Sequence, residues 1–201
     1  MREKESRNGI VGAGSARKVI VSEFATLDGV VDSPERWRFN YQDPELMQHS
    51  VTELNALGAL LMGKVTYEGF AAFWPGKTHN EFGIADKLNG TPKFVVSNTL
   101  KKAEWNNTTI LSGDVIEKIR NLKAQPGGDI GLSGSIGLVQ SLAATDLIDE
   151  YRLLTFPIVL GGGRRLFKDG PSIPLQLTEA KAFGSGVVFT RYRPDLKTAG
   201  A

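Results

Sequence analysis

Cysteine is absent from the chain, and histidine occurs only twice in 201 residues. A disulfide framework, a thiolate zinc centre and a cysteine nucleophile are therefore excluded, and the lack of cysteine fits a reducing compartment. No apolar run approaches the ~20 residues of a membrane span. The opening stretch, MREKESRNGIVGAGSARK, is charged and then small and glycine-rich, without the apolar segment of a secretory signal. A cytoplasmic location is the expectation. Neither sign of charge dominates: 24 basic and 22 acidic residues leave a formal charge of +2. With no Lys/Arg block interleaved with aromatics, the chain carries no nucleic-acid footprint. What is present is an apolar share of 41% and a charged share of 23%, the profile of a globular chain that can bury a core. Residues 17–194 are expected to form one domain, with 1–16 a flexible tail or expression remnant and 195–201 a loose tail. GIVGAGS (9–15) looks like a dinucleotide fingerprint, but it precedes the first strand, whereas that fingerprint follows one.

Apolar β-branched runs alternate with helical patterns along the chain. KVIVSEFA (18–25), ALLM (59–62), KFVVS (93–97), TTIL (108–111) and DIGLSG (129–134) read as strands. DPELMQHSVTELNALG (43–58) reads as a helix with Leu46, Met47, Val51, Leu54 and Leu57 inward, and VTYEGFAAFW (65–74) as another with Tyr67, Phe70 and Phe73 on one face. FGIADKLNG (82–90), DVIEKIRNLKAQ (114–125) and the run from Ser135 are further helices. DEYRLLTFPIVL (149–160) is a long strand broken or bulged at Pro157, and 175–193 is a hairpin around Gly184-Ser185-Gly186. The order predicts an α/β fold: a mostly parallel central sheet, helices on both faces, and an antiparallel C-terminal hairpin at one edge.

Three strand ends carry the chemistry. Gly63-Lys64-Val65-Thr66 follows one buried strand. Ser97-Asn98-Thr99 follows another, with Lys101 and Lys102 close behind. Gly134-Ser135-Ile136-Gly137 leads from a third into a helix. In open α/β sheets ligands sit at the carboxyl ends of strands. Glycine there lets a phosphate approach the backbone, and hydroxyls and ammonium groups supply donors and charge. Each stretch alone also suits an ordinary turn or a solvated loop; the three in order are much less expected by chance. Gly161-Gly162-Gly163 lies between two β-rich runs and opens no helix, which favours a structural loop; Arg164 and Arg165 after it are left open.

The segments TLDGVV (26–31), LLMGKVTYEGF (60–70), FVVSNTL (94–100), IGLSGSIGLVQSLAATDLIDEYRLLTFPIVLGGGRRLF (130–167) and GVVFTRYR (186–193) together resemble the dihydrofolate reductase fold. They are more closely similar to standalone bacterial proteins related to the reductase domain of riboflavin biosynthesis. The resemblance spans roughly residues 17–193. It implies NADPH as cofactor, with Gly63, Lys64 and Thr66 on the phosphates and Ser97, Asn98 and Thr99 beside the adenosine and its 2′-phosphate. Gly134, Ser135, Ile136 and Gly137 would then cradle the pyrophosphate and nicotinamide side. It also implies a homodimer.

On the substrate side, Asp28 in TLDG is either a hydrogen-bond acceptor for a heterocycle or one half of an Asp-Gly turn. Trp37, Phe39 and Tyr41, with Trp74, form an aromatic set able to sandwich a flat ring, or WRFNY packs on itself. Dihydrofolate reductases carry an acid on the first helix; counting from the MG of the second strand puts that position near Met47, which speaks against dihydrofolate as the substrate. Asp28, Glu45, His49 and Tyr67 stand as catalytic candidates for the proton. His49 and His79 are expected at the surface, with no metal spacing around them. The cysteine-containing zinc deaminase to which riboflavin reductases are often fused is absent from this sequence. The expected activity is hydride transfer from NADPH to a pterin- or pyrimidine-like heterocycle or a carbonyl compound. The alternative is a non-catalytic NADP(H)- or small-ligand-binding protein of the same fold.

Overall fold

A computed structural model describes residues 16–195; GIVGAGS and nearly all of both expected tails lie outside the described residues. Eight strands form one sheet: β1 (Val19–Thr26), β2 (Ala59–Gly63), β3 (Lys93–Val96), β4 (Thr108–Leu111), β5 (Ile130–Leu132), β6 (Glu150–Phe156), β7 (Leu175–Ala182) and β8 (Val188–Pro194). Their spatial order is β4-β3-β2-β5-β1-β6-β8-β7. The strands from β4 through β6 pair in parallel, and β8 pairs antiparallel with both β6 and β7. The α/β fold with an antiparallel C-terminal edge is therefore the one the residue pattern implies.

Helices α1 (Pro44–Asn55), α2 (Lys64–Phe73), α3 (Ala85–Gly90), α4 (Val115–Ala124) and α5 (Ile136–Leu142) cover the sheet. Alternation along β1 shows why both faces need cover. Val19 and Val21 enter one cluster with Ile119, Leu122, Ile130, Leu132, Val139 and Leu142. Ile20 enters a second with Leu60, Met62, Tyr67, Leu88 and Trp105. A third cluster joins Trp37 and Leu46 to Phe156, Phe183 and Phe189 near the hairpin. Local caps agree with the helix starts: Asp43 Oδ1 accepts from the Glu45 and Leu46 N–H groups at 2.8 and 3.2 Å, and Asp114 accepts from Glu117 N–H. Among the described residues, no helix is long and apolar enough to cross a membrane.

Three expectations change in detail. Met47 is 47% exposed, because Leu46, one residue away, takes the inward position at the start of α1. Phe73, at the end of α2, is likewise largely exposed. The single helix expected over 82–90 is a 3-10 turn (Glu81–Gly83) followed by α3; Phe82, inside that turn, adopts a left-handed backbone. The break expected at Pro157 is where β6 ends, at Phe156, since Pro157 has no N–H to continue the ladder.

Candidate active site

Because β3, β2, β5 and β1 are parallel neighbours, their carboxyl ends share one edge of the sheet. That adjacency brings residues 63–66, 97–99 and 134–137 together. Gly63 N–H donates to Ser135 Oγ at 2.9 Å, Ser135 Oγ donates to Thr66 Oγ1 at 2.9 Å, and Thr66 Oγ1 donates to the Gly134 carbonyl at 3.0 Å. The start of α2 and the glycine turn are thus knitted by two hydroxyls. Gly134 sits at φ +68, where a side chain would be strained, and an added Cβ would meet Thr66 Cγ2 at 3.2 Å.

On the other side, Lys64 Nζ donates to Thr99 Oγ1 at 3.4 Å, bridging β2 and β3. Ser97 Oγ accepts from the Thr99 and Leu100 N–H groups, and Asn98 Oδ1 accepts from Gly113 N–H, so the loop after β3 is held in shape. Ile136 and Ser135 are buried; either could meet a ligand only through its backbone. The groups left facing solvent are the Lys64 ammonium, which has a 3.6 Å contact with Glu68, and the Thr99 hydroxyl.

A further cation arrives from the segment after β6. Asp28 Oδ2 accepts from Gly161 N–H at 2.9 Å, and Asp32 Oδ1 accepts from Arg164 N–H at 2.9 Å. Gly163, at φ +135, lets this segment close on Val30; a Cβ there would lie 2.5 Å from Val30 Cγ1. The triple glycine is therefore a structural loop, and it delivers Arg164: Nη2 lies 4.0 Å from where a Gly137 Cβ would be. The guanidinium makes no hydrogen bond or ion pair among the described residues.

The catalytic candidates are placed elsewhere or otherwise engaged. Asp28 accepts from the Thr26 hydroxyl at 2.6 Å as well as from the Leu160 and Gly161 N–H groups. The Thr26 hydroxyl above all, with those amides, holds the carboxyl down at about 2, so at neutral pH it has no proton to give. Glu45 is an exposed residue paired with Lys181 of β7 at 2.8 Å, tied to the hairpin. Tyr67 is buried beneath α2, and its hydroxyl accepts from Trp105 N–H at 3.1 Å. The substrate candidates shift likewise. Trp37 is buried edge-on against Phe156, its indole N–H donating to the Asp32 carbonyl. Trp74 caps the far end of α2, about 15 Å from Lys64 by helix rise, among Phe70, Phe73 and Phe82. His49, expected at the surface, is half-buried against Phe183 and Phe189; burial lowers its pKa, and its Nε2 has no partner among the described residues.

Sequence reasoning passed over Glu23. It is 6% exposed, and its Oε1 accepts from Gly134 N–H at 2.7 Å. Burial pushes the carboxyl up to about 8 against the opposing pull of that N–H. The available signal was the alternation itself: Val19, Val21, Glu23 and Ala25 share a side of β1, so the lone acid points inward.

The family model for the RibD C-terminal domain matches residues 17–189. The chain belongs to that family. An uncharacterized protein of Bacillus subtilis (strain 168), YyaP, is 29% identical over 180 residues, covering 86% of this chain and 92% of its own length. Among solved structures, a Shewanella sp. PV-4 protein provisionally assigned to riboflavin biosynthesis superposes with a TM-score of 0.72 at 22% identity, covering 89% of this chain and 99% of that one. Dihydrofolate reductase from Enterococcus faecalis, solved in complex with NADP(H), gives a TM-score of 0.61 at 13% identity, covering 89% and 96%. At these identities the two structures speak for the fold alone, and they identify it as dihydrofolate reductase-like.

Proposed function

We propose that this chain is an NADPH-dependent reductase acting on a small flat heterocycle or a carbonyl compound. The observation that carries the reading is the convergence of Lys64, Thr66, Thr99 and the turn 134–137 on one sheet edge, with Arg164 reaching the same turn. An exposed guanidinium with no carboxylate partner among the described residues, a lysine held only loosely by Glu68 at 3.6 Å, and the hydroxyls beside them suit an anionic ligand, and the family and the NADP(H) complex of a protein of the same fold support a dinucleotide. Lys64 and Thr99, beside the Ser97-Asn98 loop, would hold the 2′-phosphate side. The turn at Gly134–Gly137 and Arg164 would hold the pyrophosphate side. When bound, NADPH supplies the hydride. The chain's own part is to position the dinucleotide, neutralise its charge and keep the glycine turn rigid.

A second reading has its own observation. Asp28 and Glu45 are engaged with other partners and Tyr67 is buried, which favours a non-catalytic NADP(H)-binding protein of this fold. Fluorescence titration with NADPH and NADH, followed by NADPH oxidation across pterins, aminopyrimidines and carbonyl compounds, separates the two. Selective NADPH binding with turnover supports the reductase, binding without turnover supports the second reading, and equal millimolar binding of both nucleotides contradicts both. Pairing with a second copy belongs to the same proposal and is read by light scattering.

A further inference from the structure

Glu23 is the one acidic side chain on the inward face of β1, flanked there by Val21 and Ala25, with Leu153 of β6 as its register partner. Beyond the hydrogen bond from Gly134 N–H, it has no partner among the described residues. The charged groups on the surrounding elements face elsewhere. Lys64 and Glu68 of α2 are exposed and near each other. Arg164 is exposed beside Gly137. Glu150 and Arg152 of β6 form ion pairs with Glu53 and Arg191 across the other face of the sheet. Arg120 and Lys123 of α4 pair with Asp146 and Asp149, and α5 carries no charge.

We propose that Glu23 is the positioning residue of the glycine turn, and that an anionic dinucleotide binds there with uptake of a proton by Glu23. The inference rests on the reading of residues 134–137 as a dinucleotide turn. The carboxyl lies directly behind Gly134 N–H, so it sets the orientation of the turn without offering itself to the ligand. Burial already favours its neutral form, at about 8. Phosphates in front of the turn would add a like-charge penalty to the ionised form and raise its pKa further. By linkage, the proton then binds more tightly in the complex, and the dinucleotide binds less tightly once the free protein has lost that proton. No covalent step is involved.

The test is calorimetric titration of the full chain with NADPH near pH 8, in phosphate and in Tris, for wild type and Glu23→Gln. Glutamine keeps an oxygen for Gly134 N–H and removes the titration. The expected result is that wild type takes up a substantial fraction of a proton more than Glu23→Gln, with similar affinities near pH 6.5. Wild-type affinity should fall about tenfold between pH 7 and pH 9.5, while that of Glu23→Gln stays nearly flat. Equal proton exchange in the two proteins, with NADPH bound, overturns the inference and leaves the dinucleotide reading standing. Absence of binding overturns both. Should Glu23→Gln fail to fold, the wild-type pH profile decides alone: an affinity that is flat across this range contradicts the proposal.

Discussion

Two charged regions of this molecule behave in opposite ways. Around β6 and β8, the buried Glu150 binds Arg152 at 2.6 Å and Arg191 at 3.3 Å; Arg152 also pairs with Glu53 of α1, and Arg191 with both Glu53 and Glu179. Every cation there meets a carboxylate, so the cluster fastens α1 to the hairpin and has little left for a ligand. At the carboxyl ends of β2, β3 and β5 the polar side chains form neutral hydroxyl-to-backbone links instead, and Lys64 and Arg164 remain turned outward. Charged residues alone therefore do not mark a site. What sets the strand ends apart is Arg164, an exposed guanidinium with no carboxylate partner among the described residues, beside Lys64, whose contact with Glu68 is a loose 3.6 Å.

Mutations can break that contrast. The largest effect on stability is expected at the closed cluster. Glu150→Ala removes the buried carboxylate that Arg152 and Arg191 share, leaving them only Glu53 and Glu179, and should cost about 1–3 kcal/mol in urea unfolding, with NADPH affinity of the folded fraction unchanged. Next comes Lys64→Met, which should weaken NADPH binding about tenfold or more through loss of a charge-assisted contact. NADH, lacking the 2′-phosphate, should change less, and stability should move by no more than about 0.5 kcal/mol. Glu23→Gln sharpens the comparison through pH. The folded-state pKa of Glu23 lies above its ordinary value of 4.5, at about 8, so its contribution is fully present below the lower value and lost as pH rises through the upper one. Relative to Glu23→Gln, wild type should lose at most about 1.4 kcal/mol per pH unit across that window, measured by unfolding at several pH values. The smallest effect is local. Asp28→Ala should leave global stability nearly unchanged while the Leu160 and Gly161 amides lose protection in hydrogen exchange, since Asp28 is their acceptor.

Much of the architecture was legible because it follows from period and punctuation. Alternation along β1 and the three-and-four spacing of α4 report which faces are buried, and the glycines after β2 and β5 report where strands turn into helices. That the three stretches proposed for the phosphates lie together was legible for the same reason: parallel strands end at a common edge. The partners of the proton-donor candidates were not legible, because they are distant in sequence. Tyr67 lies on the helical face with Phe70, and that same periodicity buries it against Trp105, so its hydroxyl goes to a backbone N–H. Asp28 looked like half of a turn, and only the return of the chain at Leu160 and Gly161 shows what its oxygens hold. Glu23 and Gly134 are 111 residues apart, a pairing no local pattern contains. Trp37 and Trp74 could be placed on their separate elements, but not the partners, Phe156 for one and Phe82 for the other, that occupy them.

The central claim is best tested by NMR on the uniformly labelled chain, following backbone amide shifts as NADPH is added. The account predicts shifts concentrated in residues 63–66, 97–99 and 134–137, with Arg164 among them and the Glu150–Arg191 cluster silent. Shifts centred elsewhere, or none at saturating NADPH, would contradict it.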